Sequence, residues 1–183
     1  LVANLVLFLR LAVLALVVAP STALALLPML VLGASAGAAY VAWCTRHCGP
    51  GTALPELPVD NPAELRAALG FAALFALVML LVAALNARFG AAGVFAAAAL
   101  SGLTDLDAIS FSALRLTTIG ALSVADAATT LAIAYFANLA VKFAIAFGVG
   151  SPALGRHVGA GFAIGAAGLL AGWLGMQLWN EGT

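Results

Sequence analysis

Gly102-Leu103-Thr104-Asp105-Leu106-Asp107-Ala108-Ile109-Ser110 places two carboxylates, two hydroxyls and a helix-breaking glycine inside a chain that is otherwise almost unbroken hydrocarbon. The sequence has seven acidic residues in all, and two of them sit here one residue apart. An ionisable side chain at bilayer depth costs at least ~2.5–3.5 kcal/mol on insertion scales, so such a pair is read by default as functional. Whether this stretch lies at bilayer depth is decided by its surroundings.

Those surroundings are membrane. Of the 183 residues, 65% are hydrophobic and 8% are charged, with a mean hydropathy of +1.18. A water-soluble domain carries roughly 25% charged residues, so this chain has too few to cover a water-facing surface. Several apolar runs reach the ~20 residues needed to cross a hydrocarbon core. Spanning runs must satisfy their backbone internally, and the ~10-residue alternating segments of a barrel are absent from the sequence. The expected fold class is an all-α polytopic transmembrane bundle of about six membrane segments. Seven Lys and Arg balance seven Asp and Glu, and without a basic patch a nucleic-acid partner is unsupported. The expected partners are the lipid bilayer and either a second copy, as a homodimer, or another membrane subunit. Leu1 opens the chain with no basic stretch ahead of a small-residue cleavage site, so residues 1–183 read as one transmembrane domain, a piece of a longer membrane protein.

Working outward, Ala91 to Leu100 is apolar but only ten residues long, too short to cross. The polar tip follows, and a second helical stretch runs from Ala108 to about Ile119. Two arrangements fit: one discontinuous helix unwound at Gly102 to Asp105, or a re-entrant hairpin with its tip at Gly102–Asp107. Both put the aspartates inside the bundle, because non-helical backbone at membrane depth is tolerated only in protein or a wet cavity.

Upstream, Asn4 to Ala19 is apolar apart from Arg10, and Pro20 ends the run. An interfacial anchor is the preferred role for Arg10 over a buried functional charge. The second span, Ala23 to Trp43, carries Gly33-x3-Gly37, a spacing that permits close helix approach, and Tyr40 and Trp43 suit an aromatic belt. Residues 44–62 read as a polar, proline-rich loop. Cys44, His47 and Cys48 in it can ligate a soft metal, but three ligands without a second cluster favour a structural role. Asn61-Pro62-Ala63-Glu64 marks a helix start, and the third span, Leu65 to Leu85, ends at Asn86 to Gly90.

Downstream, Gly120 to Val124 is a turn and Asp126 falls in the first turn of the next helix, where a carboxylate suits the dipole. Tyr135, Asn138 and Lys142 share one face of that helix, which must point into the bundle. The final span, Val158 to about Trp179, is glycine-rich, with Trp173 and Trp179 as anchors. Arg46 and Arg66 favour a cytoplasmic long loop, and Arg156 agrees only if Gly90 to Ile119 is a hairpin.

The candidate site therefore comprises Thr104, Asp105, Asp107 and Ser110, with Ser101 nearby and Asn138 and Lys142 facing them. Such oxygens suit a hard cation such as magnesium, with Asp105 and Asp107 as the metal ligands. Discontinuous helices supply ion ligands in this way in transporters. The competing expectation is structural: Lys142 or Arg115 pairs with an aspartate and Asn138 bonds the broken backbone. We rank handling of a cation or small solute first. An enzyme is not expected, since Asp105 and Asp107 share one short segment and cannot face each other across a substrate. Gly-x-Ser-x-Gly and His-Glu-x-x-His are also absent.

The run from Gly102 to Ser110 strongly resembles the Gly-Leu-Thr-Asp-x-Asp-Ala-Ile-Thr signature of a bacterial and archaeal membrane domain of unknown function that forms the C-terminal half of MgtC/SapB-type proteins. Asn61-Pro62, the Ala-Ala-Leu-Ser lead-in, the Asn138 to Lys142 Asn-x-x-x-Lys pattern and Leu154-Gly155-Arg156 extend the resemblance over roughly Leu1 to Leu174. Ser110 stands where the signature has Thr, and the Cys44 to Cys48 segment is peculiar to this chain. The resemblance implies a multi-pass protein of the inner (plasma) membrane of a bacterium or archaeon and raises the weight of a cation-linked role.

Overall fold

The computed structural model describes residues 2–47, 65–148 and 152–181, all of them helical apart from short connections. Seven helices follow in order: α1 (Val2–Val18), α2 (Pro20–His47), α3 (Leu65–Phe89), α4 (Ala91–Gly102), α5 (Asp107–Thr118), α6 (Val124–Gly148) and α7 (Pro152–Glu181). Four of them, α2, α3, α6 and α7, are long and apolar enough to cross a membrane, and α1 is a shorter apolar helix. The chain is thus an integral membrane protein of the helical class.

Pro20 opens α2 where a missing N–H does no harm. Only Ala19 lies outside helix between α1 and α2, with Ala19 N–H donating to Ala15 O (2.9 Å) and Ala23 N–H to Ala19 O (2.8 Å). The two helices fold back on each other so that Phe8 lies over Gly33 and Leu5 over Gly37. Gly33-x3-Gly37 is therefore an internal seam between neighbouring helices.

The glycines of α7 do the same work against α2. A Cβ at Gly168 would meet Leu32 O at 2.5 Å, and one at Gly172 would meet Met29 Cα at 2.4 Å. Backbone approaches backbone here because the α7 side carries no side chain, the contact by which membrane helices associate without a hydrophobic driving force. Tyr40 hydroxyl donates to His157 O (3.0 Å), which sets the C-terminal end of α2 beside the N-terminal end of α7. Trp173, expected as an anchor, donates its Nε1–H to Thr129 Oγ1 of α6 (3.2 Å) and so ties two helices together. The helix of Trp179 is described but its side chain is not.

One local expectation is corrected. Cys44 and His47 lie on the last turns of α2, not in a loop; His47 Nδ1 is 2.9 Å from Trp43 O, and its ring stacks on Trp43. Cys48, Glu56, Asp60, the remaining prolines of the 44–62 stretch and the Asn61-Pro62 helix start lie outside the described residues. Asp126 behaves as a helix-start carboxylate: Ser123 Oγ–H donates to its Oδ2 (2.6 Å) and its N–H donates to Ser123 Oγ (3.0 Å).

Gly172→Ala should destabilise the protein by about 1–3 kcal/mol through overpacking against rigid backbone, read as a lowered melting temperature in detergent. Gly175→Ala, where a Cβ meets nothing within 4 Å, should leave it unchanged or raise it. Equal effects at both positions would contradict the seam.

Candidate functional site

The tip begins with a turn that only glycine adopts easily. Gly90 ends the α3–α4 junction with φ 59°, and a Cβ at Gly93 would meet Leu85 O at 2.4 Å, so α4 returns closely along α3. Gly120, with φ 71°, makes the α5–α6 turn. These two turns lie together: Asn86 Nδ2 donates to Ala121 O (3.3 Å), and Gly90 and Gly120 border one cavity with Asp126. The outer ends of α4 and α5 are therefore at the same end of the bundle, which selects the hairpin over the single broken helix. Each arm has 12 residues, or ~18 Å at 1.5 Å per residue, well short of a ~30 Å hydrocarbon core.

Gly102 does not break the helix, as was expected; it is the last residue of α4. Its role is contact, since a Cβ there would lie 2.4 Å from Ala134 O near the middle of α6. The break is Leu103 to Leu106, and its polar groups are almost all spoken for. Thr104 and Asp105 N–H donate to Ser101 O at 3.0 and 2.8 Å, and Thr104 Oγ1–H donates to the same oxygen (3.0 Å). Ser101 Oγ–H donates to Asp105 O (3.3 Å), Asp107 N–H to Asp105 Oδ1 (3.3 Å) and Asn138 Nδ2 to Gly102 O (3.2 Å). A chain crossing membrane depth has to close this account internally.

Asp107 begins α5, where the helix dipole favours negative charge, and its Oδ2 forms an ion pair with Arg10 Nη2 of α1. Among the described residues this is the one ion pair. Arg10, expected as an anchor, thus has a partner within the protein, and among the described residues neither Lys142 nor Arg115 pairs with an aspartate. A lone Arg on an apolar helix carries no spacing signal, and only the fold brings α1 against α5. The other expected site residues divide clearly. Ser110 is fully buried and donates to Leu106 O (2.6 Å); it closes the first turn of α5 and lines neither cavity at the tip. Arg115 is exposed.

Two cavities meet at the tip. One, of about 440 Å³, lies between α1 and α3 over α5, with Ser101, Thr104 and the aspartates at its polar end and Val13, Leu74 and Phe111 among its apolar walls. The other, of about 270 Å³, lies between α1 and α6 and is bordered by Asn138 and Lys142. Arg10, Asp105 and Asp107 border both. The Arg10–Asp107 pair therefore stands at the partition between the chambers, and Asp105, without a cation partner among the described residues, opens onto each. Of the two expected metal ligands, Asp107 is engaged by Arg10 and Asp105 is not, and no three His, Cys, Asp or Glu side chains gather among the described residues.

Arg10→Met should cost roughly 1–3 kcal/mol, less than the ~3–5 of a fully buried pair because the Arg10 side chain is 67% exposed. Arg10→Met with Asp107→Asn should recover part of that loss in a double-mutant cycle read by thermal unfolding. Strict additivity of the two single changes would show the pair to be uncoupled.

No curated protein and no solved structure matches the chain significantly. A family described as a domain of unknown function (DUF4010) matches residues 1–150, the part that contains α1, the tip hairpin and all of α6. By that match the chain belongs to the DUF4010 family.

Proposed function

We propose that this protein moves a cation or small polar solute across a membrane through the hairpin tip, with Asp105 as the exposed ligand and the Arg10–Asp107 pair as the gate between the two chambers. One observation carries the proposal: both cavities share Arg10, Asp105 and Asp107 at a break in the backbone. Charges held in a cavity at membrane depth are the common mark of a substrate pathway, and irregular backbone that lines such a cavity is how transporters build their sites. Thr104 and Ser101 supply secondary oxygens on one side, and Asn138 and Lys142 border the other. In this scheme the solute competes with Arg10 for Asp107, so occupancy loosens the partition. Magnesium or another cation would pass as cargo, a role in keeping with the MgtC/SapB-type resemblance.

The hairpin supports an orientation. Arg46 lies in the last turn of α2 and Arg156 in the first turns of α7, at one end of the bundle with the start of α3 that carries Arg66, against Arg88 and Arg115 at the other. The positive-inside rule favours the first end as cytoplasmic, and the resemblance favours the plasma membrane of a bacterium or archaeon.

A second function, as a regulatory or structural subunit, has one observation in its favour. Only 6% of the α3 window is buried inside the bundle, which leaves room for a second copy or another membrane protein. Of the glycines first considered for such contacts, Gly33, Gly37, Gly168 and Gly172 are already occupied between α1, α2 and α7, whereas Gly175 faces open space.

Purified protein in liposomes should admit at least one of a panel of alkali, magnesium and small organic solutes, measured by osmotic light scattering, and Asp105→Asn should abolish that entry while the protein remains folded. Tight vesicles for every solute, with the protein inserted and monodisperse, would refute transport and favour the subunit role.

A further inference from the structure

The charges bordering the smaller chamber do not cancel pairwise. It is bordered by two cationic side chains, Arg10 and Lys142, and two carboxylates, Asp105 and Asp107. Arg10 and Asp107 engage each other. That leaves the Lys142 ammonium and the Asp105 carboxylate, which form no ion pair among the described residues, on the walls of one cavity. Asp105 also keeps its Oδ2 available, because the one side-chain hydrogen bond it accepts, from Asp107 N–H, is to Oδ1. Asn138 adds a polar side chain whose amide nitrogen is already committed to Gly102 O, so its carbonyl oxygen remains as an acceptor.

From this arrangement we infer that the chamber between α1 and α6 recognises a small zwitterion, with its ammonium on Asp105 and its carboxylate on Lys142. The inference rests on the tip being a solute site and names the class of solute. A simple cation would satisfy Asp105 and bring a further positive charge beside Lys142 and Arg10. An anion would do the converse beside two aspartates. A molecule carrying both charges satisfies both groups by charge-assisted hydrogen bonds and adds no net charge to a low-dielectric space. Size narrows the class further: 270 Å³ is the share of roughly nine liquid waters at ~30 Å³ each. A short amino acid fits such a space.

Thermal unfolding of the whole detergent-purified protein, titrated with glycine, β-alanine and γ-aminobutyrate, tests this against methylammonium chloride and sodium acetate. At least one amino acid should raise the melting temperature saturably while the singly charged compounds do not, alone or mixed. Lys142→Met should weaken its apparent Kd about tenfold or more, as loss of one charge-assisted contact implies, and Lys142→Arg should retain binding. Stabilisation by methylammonium or alkali cations alone, or amino-acid binding unchanged in Lys142→Met, would overturn the zwitterion assignment and leave a solute site at Asp105 standing. Absence of a shift with every compound, together with liposomes tight to every solute, would remove both.

Discussion

The constraint on which this molecule depends is that a membrane gives unpaired backbone no refuge. Four residues, Leu103 to Leu106, interrupt the helix between two half-length helices. Water cannot be assumed at that depth, so protein groups have to replace it. Ser101 and Thr104 fold back on the break, Asp105 caps the start of α5, and Asn138 reaches across from α6 to the last carbonyl of α4. Gly102 makes the crossing contact possible by letting α4 touch the backbone of α6 at Ala134. The polar tip and the apolar packing around it are thus one requirement seen from two sides.

Charge follows the same logic. A carboxylate at the start of α5 is favoured by the helix dipole, yet not by enough to offset desolvation. Arg10 supplies the balance from α1. This is why α1 has to lie against α5 and why the short hinge at Ala19 matters, since it returns α2 directly along α1. With Arg10 and Asp107 committed to each other, Asp105 and Lys142 are left facing cavity, and the chemistry available to a solute is set by what the fold did not neutralise.

Much of this was legible in the sequence, and the parts that were not share a physical cause. Composition and run length indicated a helical membrane protein, because hydrocarbon thickness imposes itself on every span. The polar tip, the glycine turns at Gly90 and Gly120 and the helix-start position of Asp126 could be read because each depends on neighbours a few residues away. Asn138 was also anticipated as a bond to the broken backbone, from its place on a polar helix face. The partner of Arg10 is not legible because it is remote in sequence and a single charge on an apolar helix gives no register. Composition alone offers Ser110 as a ligand, whereas a serine hydroxyl in a helix often bonds the carbonyl four residues back, as Ser110 does to Leu106 O. The glycine stripes announce close packing but not between which helices, and nothing in the sequence points Trp173 to Thr129.

The central claim is that α4 and α5 enter and leave from one side, and side-specific labelling tests it most directly. In a background with Cys44 and Cys48 replaced by serine, single cysteines at Ala87 and Ala121, both exposed near the outer ends of the hairpin, would be probed with a membrane-impermeant maleimide on oriented vesicles. The hairpin predicts that both label from the same face. Labelling from opposite faces would mean that the Gly90 to Ile119 segment crosses the membrane as one broken helix, and the two-chamber site would not exist as described.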